Sequence, residues 1–380
     1  MTLTSPGPTL GVVGGGQLGR MLGEAAAPLG VEVVVSDPTA DAPAAPVVRD
    51  QLVGDFDDAA TVDELAARVD YLTFEIELAN PDLLAQVSED HDVPVHPHPD
   101  TLRLIQDKLV QKQKLAEAGV PVPEFRQVDS EADLRAALEE LGYPAMLKAR
   151  QGGYDGRGNV LVETPEDVAR AYADIAGPAM VEEFVDFERE LAVMGCRGTD
   201  ERDTFPVTET VHEAEILRST VSPPRADAGR RDAAREVARD VLDVMSGRGV
   251  YGIELFDTGD EILLNEIAPR PHNSGHWTIE GCHTSQFEQH VRAVTGRPLG
   301  STDRRFPTAS ANLLGDVDER VRAELRGEDA VFEADRAHLH WYGKREVYPL
   351  RKMGHLTVTG ADRDAVLRRA RDLRDQLTFQ

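Results

Sequence analysis

Apolar and polar positions alternate in blocks along the first hundred residues. Residues 10–13 are an apolar run, Gly14-Gly15-Gly16-Gln17-Leu18-Gly19 interrupts it, and 20–29 carries helical spacing. A second apolar run, 31–35, ends at Ser36-Asp37. A helix near 63–69, a strand at 71–75 and a helix at 81–87 repeat the alternation and predict a doubly wound α/β unit. Pro94, Pro97 and Pro99 mark its exit.

Beyond the prolines the pattern changes. Residues 100–118 read as one helix, stopped by Gly119 and by prolines 121 and 123. An amphipathic helix at 134–141, strands at 145–149 and 159–162 around a glycine run, a helix at 165–176 and a strand at 179–184 predict a small α+β unit, expected to move. Residues 190–195, 204–211 and 252–267 predict a larger antiparallel sheet, and 228–246 a long helix with Arg and Asp on its exposed side. After Gly300, strands at 312–315, 338–342 and 354–358 and a charged helix at 362–377 predict a small tail domain. The chain divides into 1–103, 104–300 with a mobile part at about 121–182, and 301–380.

Composition narrows the function. No apolar run is long enough to span a bilayer, and residues 1–9 carry no basic residue ahead of an apolar segment, so a cytoplasmic location is expected. The net charge of −27 repels nucleic acid and anionic membranes, so neither is an expected partner. Only six lysines occur: Lys108, Lys112, Lys114, Lys148, Lys344 and Lys352. An acid-rich, lysine-poor chain reads as adaptation to a high-salt interior, where screening makes self-repulsion tolerable. Each remaining lysine is then a candidate for a specific task. Cys196 and Cys282 lack metal-ligand spacing and read as small buried hydrophobes.

The densest chemistry lies in 254–277. A strand containing Glu254, a turn at Thr258-Gly259-Asp260 and a strand ending in Asn265-Glu266 predict a hairpin. Its fold sets Glu254 opposite Asn265 or Glu266, according to the parity of the loop. Two carboxylates facing across a ladder repel, and a hard dication between them removes the penalty. The plainer reading is a surface hairpin with scattered charge. Lys148 precedes Gln151-Gly152-Gly153-Tyr154-Asp155-Gly156-Arg157-Gly158, whose amides can close over phosphates, unless the loop is merely a hairpin tip. Lys344, Arg345, Arg351 and Lys352 crowd four cations into nine residues and suggest an anion pocket rather than paired surface charge. The first glycine loop, with Asp37 beyond it, matches a dinucleotide fingerprint, but no hydride-transfer site accompanies it.

Together these segments resemble the ATP-grasp ligases. Gly15-Gly16-Gln17-Leu18-Gly19-Arg20-Met21, the glycine loop 152–158, Asn265-Glu266-Ile267-Ala268-Pro269-Arg270-Pro271-His272-Asn273-Ser274-Gly275-His276-Trp277 and Lys352-Met353-Gly354-His355 are similar to the 5-(carboxyamino)imidazole ribonucleotide synthases among them. The resemblance runs over nearly the whole chain. It implies a mixed α/β and α+β architecture: an N-terminal Rossmann-like domain, an ATP-grasp domain with its lid, and a small C-terminal domain. It also implies ATP-dependent carboxylation of 5-aminoimidazole ribonucleotide by bicarbonate through carboxyphosphate, in a homodimer, with magnesium or manganese as the ion. On this resemblance Lys108 and Lys148 hold ATP phosphates, covered by Gly153, Tyr154, Asp155, Gly156, Arg157, Gly158 and Asn159. Glu182, Glu183, Phe184 and Val185 grip adenine, Glu190 takes the ribose, and His212 approaches the nucleotide. Glu254 and Glu266 bind the ion, with Asn265 beside them. Tyr154, Asp155, Arg270, His272 and Lys344 shape the bicarbonate and amine site, while Gln17, Leu18, Glu75, Arg351 and Lys352 hold the ribonucleotide. The segment Thr73-Phe74-Glu75-Ile76-Glu77-Leu78 departs from the usual Thr-Tyr-Glu-Phe-Glu-Asn, keeping both acids but losing the amide. The rivals are another acyl-phosphate ligase such as a formate-dependent ribonucleotide transformylase, a dinucleotide oxidoreductase, and a non-catalytic ATP sensor.

The charge generates a test of its own. A melting temperature that rises from dilute buffer to concentrated potassium chloride is expected, and equal values in the two would show that the acidity is not a salt adaptation.

Overall fold

The first apolar runs are strands of one parallel sheet. β1 (Thr9–Val13), β2 (Glu32–Asp37), β3 (Asp50–Val53) and β4 (Tyr71–Phe74) lie in the order β3-β2-β1-β4. Helices α1 (Gln17–Ala26), α2 (Ala59–Ala66) and α3 (Pro81–His91) cover it, and all of β1 is buried, as a strand sandwiched on both faces must be. The computed structural model describes residues 4–152, 158–175 and 177–380. Two features escaped the pattern. β3 is a half-exposed edge of sequence Asp-Gln-Leu-Val with little apolar signal. α2 begins before the expected residue 63 because Asp58 caps it, accepting from the Thr61 amide.

The helix predicted over 100–118 is two helices, α4 (Pro99–Gln106) and α5 (Lys108–Glu117). Asp107 breaks them. Its backbone is extended, its carboxylate accepts from the Leu109 and Val110 amides at 3.1 and 3.2 Å, and Arg150 donates to it at 2.6 Å. No glycine or proline announces this break. An acid that caps a helix and pairs with a distant arginine ends one helix and starts the next.

The small α+β unit holds β5 (Phe125–Val128), α6 (Glu131–Leu141), β6 (Ala145–Ala149), β7 (Asn159–Val162), α7 (Val168–Ile175) and β8 (Ala179–Glu183). Its sheet runs β5-β8-β6-β7, antiparallel throughout, over a core of its own that includes Val128, Leu134, Leu147 and Val181.

The large sheet is built from β9 (Arg189–Arg197), β10 (Arg202–Thr204), β11 (Thr208–Glu213), β12 (Ile216–Ser222), β13 (Gly249–Asp257) and β14 (Ile262–Ala268), backed by α8 (Ala228–Val244). Two helices follow, α9 (Thr278–Gly281) and α10 (Gln286–Val294). The tail then continues the same sheet through β15 (Thr308–Leu314). After it come β16 (Val321–Arg322), β17 (Leu325–Arg326), α11 (Asp329–Phe332), β18 (Ala337–Trp341), β19 (Glu346–Val347), β20 (Lys352–Thr359), α12 (Arg363–Arg374) and β21 (Thr378–Phe379). The path is β14-β13-β9-β11-β12-β15-β20-β18. The tail keeps its own core beneath α12, but β15 covers the edge that β12 would otherwise expose.

α10 ties the first sheet to the large one. Phe287, Val291 and Val294 enter the core of the N-terminal sheet. On the same helix His290 accepts from the Val250 amide through Nδ1 at 3.1 Å, so Nε2 carries the proton and donates to Thr73 Oγ1 at 2.9 Å. Burial holds this imidazole down at about 3, so the bridge stays neutral.

Candidate active site

The hairpin β13–β14 turns at Gly259, whose φ of +87° suits glycine, and its register sets Glu254 against Glu266. The next pair is Leu255 with Leu264, so Asn265 is the extra residue of a bulge. Burial, reinforced by Glu266 and Glu190, pushes the Glu254 carboxyl up to about 7, although His212 and Lys352 act the other way. Its buried Oε1 has no hydrogen-bond partner among the described residues, and the nearest cationic candidate, His272 Nδ1, stands 3.5 Å away. Two facing carboxylates, one with a bare oxygen, fit a hard dication. Among the described residues no group of three or more His, Cys, Asp or Glu side chains is placed to hold a metal. Magnesium in phosphoryl-transfer sites takes one or two carboxylates and draws its other ligands from water and substrate phosphate.

Around this pair stand groups from four elements. The β11–β12 ladder shifts register beside His212, with Arg218 of β12 the extra residue, and His212 lies against Glu190 on β9, Nδ1 2.8 Å from the carboxylate. Burial depresses this imidazole, but the Glu190 bond and the Glu254 charge outweigh it, and the net shift is upward. His272 goes the other way: burial first, then Arg270 and Lys352, hold it well below the ordinary range, so it is neutral. Gln286 clamps the His272 backbone, accepting from its amide at 2.9 Å and donating to its carbonyl at 2.7 Å. Arg270 is half-buried, bridges to Glu77 at 2.8 Å, and leaves Nε without a partner among the described residues.

On the side of the small sheet, Lys148 of β6 and Lys112 of α5 both contact the buried carboxylate of Glu182 on β8. Burial raises that carboxyl, yet the two lysines overcome it and bring it to about 2. Lys108 lies close enough for its charge to reach Lys112. Two ammoniums thus meet at one acid and a third lies near one of them, an excess of positive charge in a chain at −27. Polyphosphate is the ligand that such an excess suits. The resemblance assigned Glu182 to adenine, but its carboxylate is taken up by the lysines. Glu183 is tied to the Glu124 amide at 3.0 Å, whereas Phe184 stands 45% exposed and Val185 half-buried. Asn159 pairs with Lys148 across β6 and β7, and its buried Oδ1 has no partner among the described residues.

The first glycine loop is filled by protein carboxylates. The Gly15 amide donates to Asp37 at 3.0 Å, and those of Gly16 and Gly19 donate to Glu75, the latter at 2.5 Å. A Cβ at Gly14 would lie 2.4 Å from Glu75 Cγ, so the close approach needs glycine. The helix start already holds an anion where a dinucleotide would place its pyrophosphate. Burial pushes Glu75 up to about 7 despite these amides. Gln17 is half-buried at the head of α1. Leu18 was expected at the ribonucleotide, but its side chain is 6% exposed within the core of the N-terminal sheet, leaving its backbone as the contact it can offer.

The tail reaches this corner. Arg345 pairs with Asp41 at 2.7 Å, and Gly343 packs beside Arg20 of α1. Lys344 donates to the Lys352 carbonyl at 2.7 Å. Lys352 is near enough for its charge to act on Glu254, His212 and His272. Arg351 faces outward, over the Tyr348 ring at 4.9 Å and bonded to the Glu346 carbonyl at 2.7 Å. His355 of the same motif is locked in place: it bonds the Tyr342 hydroxyl at 2.8 Å, stacks on His340 at 4.4 Å and packs against a tilted His276 at 4.7 Å. Gly153, Tyr154, Asp155, Gly156 and Arg157 lie outside the described residues, while Gly158 closes the loop at φ +83°.

Lys112, Glu77 and Gln286 were not singled out for roles. Lysine scarcity was the available signal for Lys112. Glu77 and Gln286 carry no local mark, because their partners are 193 and 14 residues away.

Residues 8–106 match the ribonucleotide synthetase preATP-grasp domain, 113–287 the ATP-grasp domain, and 308–369 the phosphoribosylaminoimidazole carboxylase C-terminal domain. The chain is 42% identical to N5-carboxyaminoimidazole ribonucleotide synthase of Brucella melitensis, over 94% of this chain and 97% of that protein. It is 39% identical to phosphoribosylaminoimidazole carboxylase of Schizosaccharomyces pombe, over 92% of this chain and 64% of that longer protein. Its fold is similar to N5-carboxyaminoimidazole ribonucleotide synthetase from Thermotoga maritima, with a TM-score of 0.89, 39% identity, and 98% and 99% of the two chains covered. It is also similar to the Aspergillus clavatus synthase in complex with ADP and 5-aminoimidazole ribonucleotide, with a TM-score of 0.90, 34% identity, and 98% and 100% covered.

The packing of His272 yields a test. A Cβ at Gly252 would lie 2.4 Å from His272 Cβ. Gly252→Ala is expected to cost about 1–3 kcal/mol of stability through overpacking and, by displacing His272, to lower turnover of the folded fraction. Unchanged melting and unchanged turnover would show that the contact relaxes freely.

Proposed function

The chain belongs to the N5-carboxyaminoimidazole ribonucleotide synthases of the ATP-grasp superfamily, and from that membership we propose how its own side chains divide the reaction. It is an ATP-dependent ligase that carboxylates 5-aminoimidazole ribonucleotide in purine biosynthesis. A bicarbonate oxygen attacks the γ-phosphorus of ATP, ADP departs, and carboxyphosphate remains. The exocyclic amine then attacks the carboxyl carbon, loses a proton, and phosphate leaves.

Lys108 and Lys148 take the ATP phosphates, beneath the glycine loop and Asn159. Phe184 offers adenine an apolar face, flanked by Glu183 and Val185, and Glu190 meets the ribose, with His212 held on it. Glu254 and Glu266 hold magnesium or manganese, which offsets charge on the transferring phosphoryl group when bound. The observation that carries this reading is their direct pairing across the hairpin, with one buried oxygen left bare. Arg270 and neutral His272, fixed by Glu77 and Gln286, orient the bicarbonate-derived group beside Lys344. The amine's proton falls to Asp155 on the resemblance. Glu75 and Gln17 approach the ribonucleotide from the first domain, and Lys352 and Arg351 from the tail. Carboxyphosphate is short-lived in water, so closure of the small sheet over the site protects it. No helix among the described residues is long and apolar enough to cross a membrane. A cytoplasmic homodimer from a salt-rich interior completes the proposal, resting on the resemblance and on the charge of −27.

Two variants test the assignments. Glu266→Gln keeps the side-chain volume and removes a ligand charge, so the fold is expected to survive with nearly all turnover lost. Near-normal turnover at ordinary magnesium would sink the ion assignment. Arg351→Ala is expected to raise the Michaelis constant for 5-aminoimidazole ribonucleotide by roughly tenfold to a hundredfold, the loss of one charge-assisted contact, and to leave that for ATP nearly unchanged. If the ATP constant moves instead, the cations of the tail serve the other ligand.

A further inference from the structure

Lys112 is the one lysine whose residue is fully buried, at 3% exposure, and the reaction described above gives it no task. It stands where three elements meet. The residue belongs to α5, its Nζ lies 3.0 Å from Glu182 Oε2 on β8, and it donates to the Leu264 carbonyl on β14 at 3.4 Å. Leu264 is two residues from Glu266, so Lys112 links the small sheet to the ion-binding hairpin. The other oxygen of Glu182 is held by Lys148. The two lysines differ in depth: the Lys112 side chain is 4% exposed and that of Lys148 11%. Lys112 lies inside, bonded to a backbone carbonyl as well as the acid, whereas Lys148 lies toward the mouth.

This arrangement poses a problem for ATP binding. Lys148 cannot give its charge fully to a phosphate while it neutralises a buried carboxylate. If it left, Glu182 would stand as an uncompensated buried charge unless another cation stayed. Lys112 is that cation. We propose that Lys112 is a positioning residue, the permanent counter-charge of Glu182, whose presence lets Lys148 exchange from Glu182 to a nucleotide phosphate. A carboxylate shared by two ammoniums grips each less firmly than it would grip one. Lys112 therefore lowers the cost of moving Lys148, and it does so without touching the nucleotide.

The inference rests on the reading that Lys148 serves the phosphates, and the experiment separates the two. Inhibition constants of ADP and of adenosine against ATP are measured in wild type, Lys148→Met and Lys112→Met. Lys148→Met is expected to weaken ADP and spare adenosine; if it does not, the phosphate reading fails. Lys112→Met leaves Lys148 as the sole partner of Glu182. It is expected to raise the ADP constant about tenfold or more, to leave adenosine within about threefold, and to leave the Michaelis constant for 5-aminoimidazole ribonucleotide nearly unchanged. A merely structural role would weaken adenosine and ADP alike. Equal weakening, or no weakening of ADP while Lys148→Met does weaken it, overturns the proposal. Should Lys112→Met not fold, the double variant Lys112→Met, Glu182→Gln decides. It removes a buried pair of opposite charges together, which folds tolerate well. With no carboxylate left to hold Lys148, ADP is expected within about threefold of wild type. A double variant that does not fold, or that binds ADP about tenfold more weakly, overturns the proposal as well.

Discussion

Three carboxylates stand where the parts of this protein meet, Glu75 and Glu182 buried and Glu254 half-buried, and what compensates each of them organises the site. Glu182 has two lysines, and its carboxyl falls to about 2. Glu75 has two amides of a helix start but, among the described residues, no cation in contact, and it rises to about 7. Glu254 has an acid opposite it and an imidazole at 3.5 Å, and it too rises to about 7. Burial opposes the charge in all three, so the outcome follows the compensation. Full ions nearby reverse the effect of burial; hydrogen-bond donors soften it; a second carboxylate worsens it. The least compensated acid is the one proposed for the ion, and the best compensated lies among the lysines proposed for phosphate.

The architecture exists to bring these acids within reach of groups from distant parts of the chain. The large sheet is continuous from the hairpin at β14 to the tail strand β20, which places Lys352 near Glu254 although 98 positions separate them in the chain. α10 fastens the N-terminal sheet to the large one through a neutral His290 bridge to Thr73, two residues before Glu75. Arg345 and Asp41 join tail to N-terminal domain directly. The ligase site is therefore a junction. The small sheet, with its own core, approaches it through Lys112, Lys148 and Glu182.

Motif logic worked where the motif and its physical task are local. The hairpin, its turn at Gly259 and the acids at its strands followed from residue spacing, but the pairing of Glu254 with Glu266 came from the bulge at Asn265, because the register beside the turn alone would have set Glu254 opposite Asn265. It falls short where a local motif is answered from far away. The first glycine loop has the form of a dinucleotide site, but Glu75, 59 residues from Gly16, occupies its amides. Leu18 sits inside that motif and yet points into the core. The break at Asp107 needs Arg150 to be seen, 43 residues on.

The sequence by itself determined much of the order of strands and helices, the glycine turns, the concentration of acids and cations in a few segments, and the family those segments resemble. All of these depend on neighbours within a few residues, which the chain shows directly. The tertiary structure decided which charges are desolvated and by what each is balanced. It revealed that the tail completes the large sheet, that Lys112 faces Glu182 from within, and that Lys352 lies near Glu254 while Arg351 faces Tyr348. The energy of a buried charge depends on every group within several ångströms of it, whatever its place in the chain. That surrounding is assembled only when the separate parts of the chain pack together.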